Sequence, residues 1–184
     1  MKKFTSFLTV ALMALMSLTF TSCDEDSDIA YTLDGTWKGN MYVEYGGYDA
    51  TYTVIRFDQN DGFYSGTGYW IDYYDRNYWD GRNYIANRIR WTVRNSNIYI
   101  DLIDEGNSVV IYDYTLNDRN FSGYVNAENG NRAYFEMYSD SKGYNWRDYD
   151  WGYNKLDTSI GMGGISSRAA STSAEKPVRK FVVK

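Results

Sequence analysis

Between Tyr69 and Tyr84 the sequence reads YWIDYYDRNYWDGRNY. Trp70, Tyr73, Tyr74, Tyr78, Trp79 and Tyr84 are interleaved there with Asp72, Asp75, Arg76, Asp80 and Arg82. Aromatic rings offer an apolar face on which a sugar can stack, and carboxylate or guanidinium groups can bond its hydroxyls. Trp70, Tyr73, Tyr74, Trp79, Arg82 and Tyr84 are therefore the candidate contacts to a glycan or another small amphipathic ligand. The stretch is longer than a hairpin needs, and long connections often carry function. The plainer reading is an irregular loop, or strand ends whose tyrosines cover the core beneath them.

Catalysis has fewer parts to draw on. The chain has no histidine, which removes the commonest general base, proton shuttle and metal ligand. Ser-His-Asp chemistry, Cys-His chemistry and His-ligated zinc are excluded with it. The 24 Asp and Glu residues make chance pairs certain, so spacing specifies no glycosidase-type pair across a cleft. The run DQNDG at 58–62 lacks the later glutamate of an EF-hand and suits a hairpin turn. We expect no catalytic residue, no metal and no cofactor.

The one cysteine, Cys23, sits in a different context. Met1-Lys2-Lys3 is followed by an uncharged run centred on FLTVALMALMSLTF, and Thr21-Ser22 lead straight into Cys23. A basic start and a short apolar core describe a secretory leader, here expected at 1–22. The junction resembles a bacterial lipobox, in which the cysteine becomes the acylated N-terminus and anchors the protein to a membrane; Cys23 is the expected lipid-attachment residue. Asp24, Glu25, Asp26 and Asp28 follow. Such a run stays solvated, so 23–32 is expected to be an acidic tether. It resembles the acidic export signal of surface lipoproteins in some Gram-negative bacteria, which implies the outer membrane and its exposed face. Retention at the inner membrane, signalled elsewhere by Asp after the lipidated cysteine, is the alternative.

Charge narrows the partners. The formal net charge is −5, and loss of Lys2 and Lys3 with a leader makes it more negative. Nucleic acid, which needs a basic footprint, is excluded. Electrostatic adhesion to anionic lipid is disfavoured too, leaving the acyl anchor to hold the protein. A single cysteine allows no internal disulfide, so packing alone must stabilise the fold.

The elements that position these residues read as strands. Trp37, Gly39, Met41, Val43 and Tyr45 fall on one face of a period-two pattern, as do Ile89, Trp91 and Val93. Gly46-Gly47, Asp61-Gly62, NSN at 95–97, EGN at 105–107, NDRN at 117–120 and Asn129-Gly130 supply turns. The segments between read as strands at about 36–45, 50–58, 62–72, 85–94, 97–103, 108–116, 120–126 and 131–138. No stretch shows an amphipathic helical stripe. Eight sequential antiparallel strands with short connections form a meander, and closure into a barrel removes the exposed edges. A two-sheet sandwich is the alternative.

LDGTWKGNMYV at 33–43 resembles the Gly-x-Trp opening strand of lipocalin-like, or calycin-type, barrels. RIRWTVRNSNIYIDL and IYDYTLNDRNFSG are similar to later hairpins of lipocalin-like domains in bacterial lipoproteins, and Tyr112-Asp113-Tyr114 loosely echoes the family's Thr-Asp-Tyr signature. The resemblance implies a barrel over 33–138 in which Trp37 closes one end. Beyond it lie an aromatic-rich extension at 139–157, lying over the barrel or extending an edge, and a flexible Gly-, Ser- and Ala-rich tail at 158–184. The expected function is a non-catalytic, lipid-anchored envelope barrel. It would bind a small amphipathic ligand or glycan in its mouth or on the 69–84 stretch. The alternative is a structural or protein-interaction module of the cell surface with a filled interior, presenting tyrosines to a partner.

Overall fold

Eight of the period-two segments pair in sequence order until the last meets the first. The computed structural model describes residues 21–60, 63–77, 81–126, 132–152 and 178–183. The barrel strands are β1 (Gly35–Asn40), β4 (Tyr52–Gln59), β5 (Ser65–Tyr73), β6 (Tyr84–Arg94), β7 (Asn97–Leu102), β8 (Asn107–Leu116), β9 (Asn120–Asn126) and β10 (Arg132–Ser139). They close in the order β1-β10-β9-β8-β7-β6-β5-β4, with Trp37 opposite both Ser139 and Ile55. All pairings are antiparallel. The meander barrel is thus the observed fold, and the sandwich is not.

The expected first strand, 36–45, breaks in two. The Asn40 side-chain oxygen accepts the Tyr42 N–H at 2.7 Å, and Tyr42 adopts a φ of +49°. This local side-chain turn diverts the chain out of the barrel wall. Val43–Tyr45 becomes β2, which turns through Gly46 and Gly47, both at positive φ, into β3 (Tyr48–Asp49). A last strand, β11 (Arg179–Phe181), pairs with the other edge of β2. Part of the stretch read as a flexible tail is therefore ordered against the barrel.

Among the described residues the inward faces pack into one continuous core. Trp37, Ile55, Phe57, Trp70, Trp91 and Phe135 all lie at 2% exposure or less within one continuous cluster. Rings meet edge to face: Trp37 with Phe121 at 5.5 Å, Phe57 with Trp91 at 5.6 Å and Phe121 with Phe135 at 4.9 Å. Glycine makes room for them; a Cβ on Gly66 would lie 2.8 Å from the Trp91 ring. Between Tyr112 and Thr115 the β8–β9 register shifts, with Asp113 at a φ of +46°. This bulge puts Tyr114 against Gly123, where any Cβ would stand 2.5 Å from the Tyr114 Cβ.

The acidic stretch does not run free. Thr21–Leu33 forms a helix, α1, where a solvated tether was expected at 23–32. Asp26, Ala30 and Leu33, spaced to share one helical face, are buried. So short an apolar stripe cannot hold a helix by itself; the barrel end supplies the contact. Residues 1–20, most of the expected leader, lie outside the described residues.

Candidate functional site

Strand parity decides what the aromatic stretch can do. Residues 69–73 belong to β5 and Tyr84 opens β6, so the true connection is shorter than the sequence suggests. Trp70 pairs with Ile55 on one side and Asn87 on the other, which turns its side chain inward. It is fully buried and donates its indole N–H to Asp72 Oδ1 at 3.0 Å. Tyr74 is also buried, packed with Tyr45 and Ile85; burial first, then the nearby Asp72 carboxylate, pushes its hydroxyl pKa upward. Trp70 and Tyr74 are core residues here, where an exposed loop position was expected.

Asp72 is the hub of a polar cluster at this end of the barrel. It is fully buried and accepts the Thr53 hydroxyl at 2.6 Å. Arg179, reaching in from β11, bonds Asp72 through Nη1. Its Nε and Nη2 bond the two oxygens of Glu105 at 3.0 and 2.7 Å. Asn87 Nδ2 donates to Glu105 at 2.8 Å. The guanidinium lies over the Trp70 ring at 5.5 Å, and Phe181 meets that ring edge-on at 6.2 Å. Two buried carboxylates outweigh the desolvation of the cation, so the Arg179 pKa rises. This end is plugged. Nothing in the local sequence around Arg179 or Glu105 announces the pairing, because 74 residues separate them.

The other end is closed by α1. Trp37 donates its indole N–H to the Leu33 carbonyl at 2.8 Å. The Asp26 carboxylate accepts the backbone N–H groups of Asn95 at 3.0 Å and Ser96 at 2.8 Å, capping the β6–β7 turn. Beside the helix lies a cleft of about 580 Å³, lined in part by Glu25, Asp28, Thr32, Asn95 and Tyr114. Burial, with the Asp26 and Glu25 charges, pushes the Tyr114 hydroxyl up to about 12. The cleft is lined by residues of the helix and of the barrel rim, and Ile29, Tyr114 and Leu116 in its wall pack against the core cluster.

Tyr73, Arg82 and Tyr84 face the outer wall, where residues 140–152 cross it as a strap. A single 3-10 turn at Trp146–Asp148 sets the rings of the strap. Tyr144 stacks on Trp146 at 5.1 Å, Trp146 on Tyr69 at 5.0 Å and Tyr69 on Trp151 at 5.0 Å. The Tyr73 and Tyr149 hydroxyls are 2.5 Å apart, and burial chiefly raises the Tyr73 pKa. Arg82 Nη1 donates to the Asp150 carbonyl at 3.1 Å, and the Tyr84 hydroxyl accepts the Asp150 N–H at 3.1 Å. Of the rings expected to meet a sugar, Tyr73 stacks on Tyr52 at 4.6 Å and Tyr84 meets Tyr149 edge to face at 5.1 Å, and Tyr73, Arg82 and Tyr84 clamp the strap over buried Val54, Ile71 and Ala86. A groove of about 570 Å³ remains at the strap's edge, between Arg56, Asp58, Tyr69, Lys142 and Trp146. Trp79 lies outside the described residues.

An eight-stranded antiparallel meander barrel, with a helix closing the end at which a first-strand tryptophan packs, defines the class. Residues 33–123 match the family model of the lipocalin-like domain, and the chain carries such a domain. No curated protein and no solved structure matches it. The barrel continues past the matched region through β10, which completes the closure against β1. A lipocalin-like barrel fits small-ligand binding or another non-catalytic role in general terms. Among the described residues no helix is long and apolar enough to cross a membrane.

Proposed function

We propose that this chain is a non-catalytic, lipid-anchored module of the cell envelope that acts through its outer surface, with the barrel interior given over to packing. The observation that carries the reading is the filled interior: the core cluster runs from Ala30 and Leu33 at one end to Phe181 at the other. A lipocalin-like barrel with both ends closed has no room for an amphipathic ligand without unpacking several buried aromatic rings, each of which contributes strongly to stability. The outer surface exposes Tyr31, Tyr48, Tyr64, Tyr134 and Tyr138, and tyrosine is a residue type enriched where proteins meet.

The anchor part of the proposal rests on the Lys2-Lys3 start, the apolar run and Cys23. Cys23→Ser should release the protein from the membrane fraction and remove an acyl mass. Protease treatment of intact cells separates outer-surface display from inner-membrane retention, since only displayed protein is degraded.

Tryptophan fluorescence titrated with long-chain fatty acids tests the filled core. No saturable change is expected; one-to-one binding with quenching of buried tryptophan would overturn it. A second reading keeps the glycan, placed in the groove beside Lys142, where Arg56, Asp58 and the ring edges of Tyr69 and Trp146 converge. Glycan binding abolished by Arg56→Ala, with stability unchanged, would select that reading.

A further inference from the structure

At the plugged end an extended strand of the chain is added to the barrel. β11 adds as a third strand to the edge of β2, with Arg179 opposite Tyr45, Lys180 opposite Glu44 and Phe181 opposite Val43. The ladder extends through the Val182 N–H, which the Tyr42 carbonyl accepts at 2.8 Å. Strand addition of this kind obtains affinity from the main chain and specificity from pockets for alternate side chains. Both parts are present. Arg179 and Phe181 point inward and are buried, while Lys180 between them is half-exposed.

The pocket for Arg179 has a specific chemical demand. Asp72 and Glu105 present two carboxylates whose side chains are at most 2% exposed, and a single guanidinium answers both. Without it, two buried carboxylates would lose the guanidinium they share. The planar donor fork engages Glu105 through two nitrogens and Asp72 through a third, which an ammonium cannot reproduce. Trp70 forms the shared wall, under the guanidinium and against the Phe181 ring. A gap of about 300 Å³ runs between the strand and the rim residues Leu102, Asn107, Val109 and Asn126, so β11 is seated in the mouth rather than sealed into the wall.

We infer that the base of the barrel is an exchangeable peptide-binding socket. Its ligand is an extended Arg-x-Phe strand, taken in cis from the chain's own C-terminus and in trans from the C-terminus of a second copy. The 25 residues of 153–177 can span at most about 80–90 Å when extended, which brings a neighbouring socket within reach as well as the chain's own. The inference is independent of the lipid anchor and of the outer-wall readings.

The test uses the full chain carrying Arg179→Ala and Phe181→Ala, which strips the tethered strand of both side-chain anchors. The probe is a labelled octapeptide with the sequence of residues 177–184, followed by anisotropy and tryptophan fluorescence. The substituted chain should bind it at least ten-fold more tightly than the intact chain, whose tethered strand competes at about millimolar effective concentration. An octapeptide with both alanines should bind neither. Equal affinity for the two chains, equal binding of the alanine peptide, or no binding would overturn the proposal. If the substituted chain does not fold, a protease site inserted after Gly164 in the otherwise unchanged chain replaces it. After cleavage, excess octapeptide should displace the native strand, and a strand that cannot be displaced sinks the idea. For the trans half, the substituted chain mixed with intact chain at several hundred micromolar should form a detectable minority of one-to-one complex, rising with concentration, that octapeptide dissolves. A mixture that stays monomeric overturns that half.

Discussion

Trp37 and Leu33 are joined by a hydrogen bond from the indole N–H to the helix carbonyl, 2.8 Å long and buried. It ties the last turn of α1 to the first barrel strand across only four residues, so helix and barrel end share one piece of core. Trp37→Phe keeps most of the ring but leaves that carbonyl without its donor. Urea denaturation should show a loss of about 1–3 kcal/mol. A loss below a few tenths would mean that the bond contributes nothing.

The helix is also held from its acidic side. Asp26 caps the Asn95–Ser96 turn, whose two residues have φ values of +51° and +58°. Asp26→Ala should destabilise by about 1.5–3 kcal/mol, the range for hydrogen bonds to a charged group. Ser96→Gly, by relieving a left-handed conformation, should stabilise by about 0.5–1 kcal/mol. Thermal melts of the two variants should move in opposite directions. Shifts of the same sign would disprove the capping account.

Alkali should unfold the protein through its tyrosines. Burial, Asp26 and Glu25 push the Tyr114 hydroxyl up to about 12 from an ordinary 10.0, and Tyr52, Tyr73, Tyr74 and Tyr144 are shifted the same way. The folded chain then keeps protons that the unfolded chain releases near pH 10. Stability is fully present below that pH and declines as pH rises toward the folded values. Denaturation midpoints should fall between pH 9 and 11, and Tyr114→Phe should make the fall shallower. A flat profile over that range contradicts the expectation.

The strap depends on ring stacking. Trp146→Ala removes the ring between Tyr144 and Tyr69, and stacked pairs contribute about 0.5–1.5 kcal/mol each beyond the area they bury. Trypsin should then cut after Arg147 several-fold faster than in the parent, with the barrel fragment surviving. An unchanged cleavage rate would show that the stack does not hold the strap.

Much of this was legible from residue order. Alternation of apolar and polar positions located the barrel strands after the first to within about three residues, because a half-buried strand must repeat every two residues. The turns read at 95–97, 105–107 and 117–120 fall between paired barrel strands, Asp61-Gly62 and Asn129-Gly130 lie outside the described residues, and the Gly-x-Trp opening pointed to the barrel type. The period also held through the break at Tyr42, since Met41, Val43 and Tyr45 remain buried beyond it. It could not show the break itself, which follows from a side-chain hydrogen bond at Asn40.

The sequence by itself determined the strand pattern, the absence of histidine chemistry and the position of the lone cysteine. These follow from local periodicity and composition alone. Only the tertiary structure decided that Trp70 and Tyr74 face inward, that the strap rings stack on one another, and that Asp26 and Arg179 serve the two ends of the barrel. Alternation says that a face is buried but not by what. The partners of these residues lie up to 107 positions away, at distances in the chain that only closure of the barrel brings together.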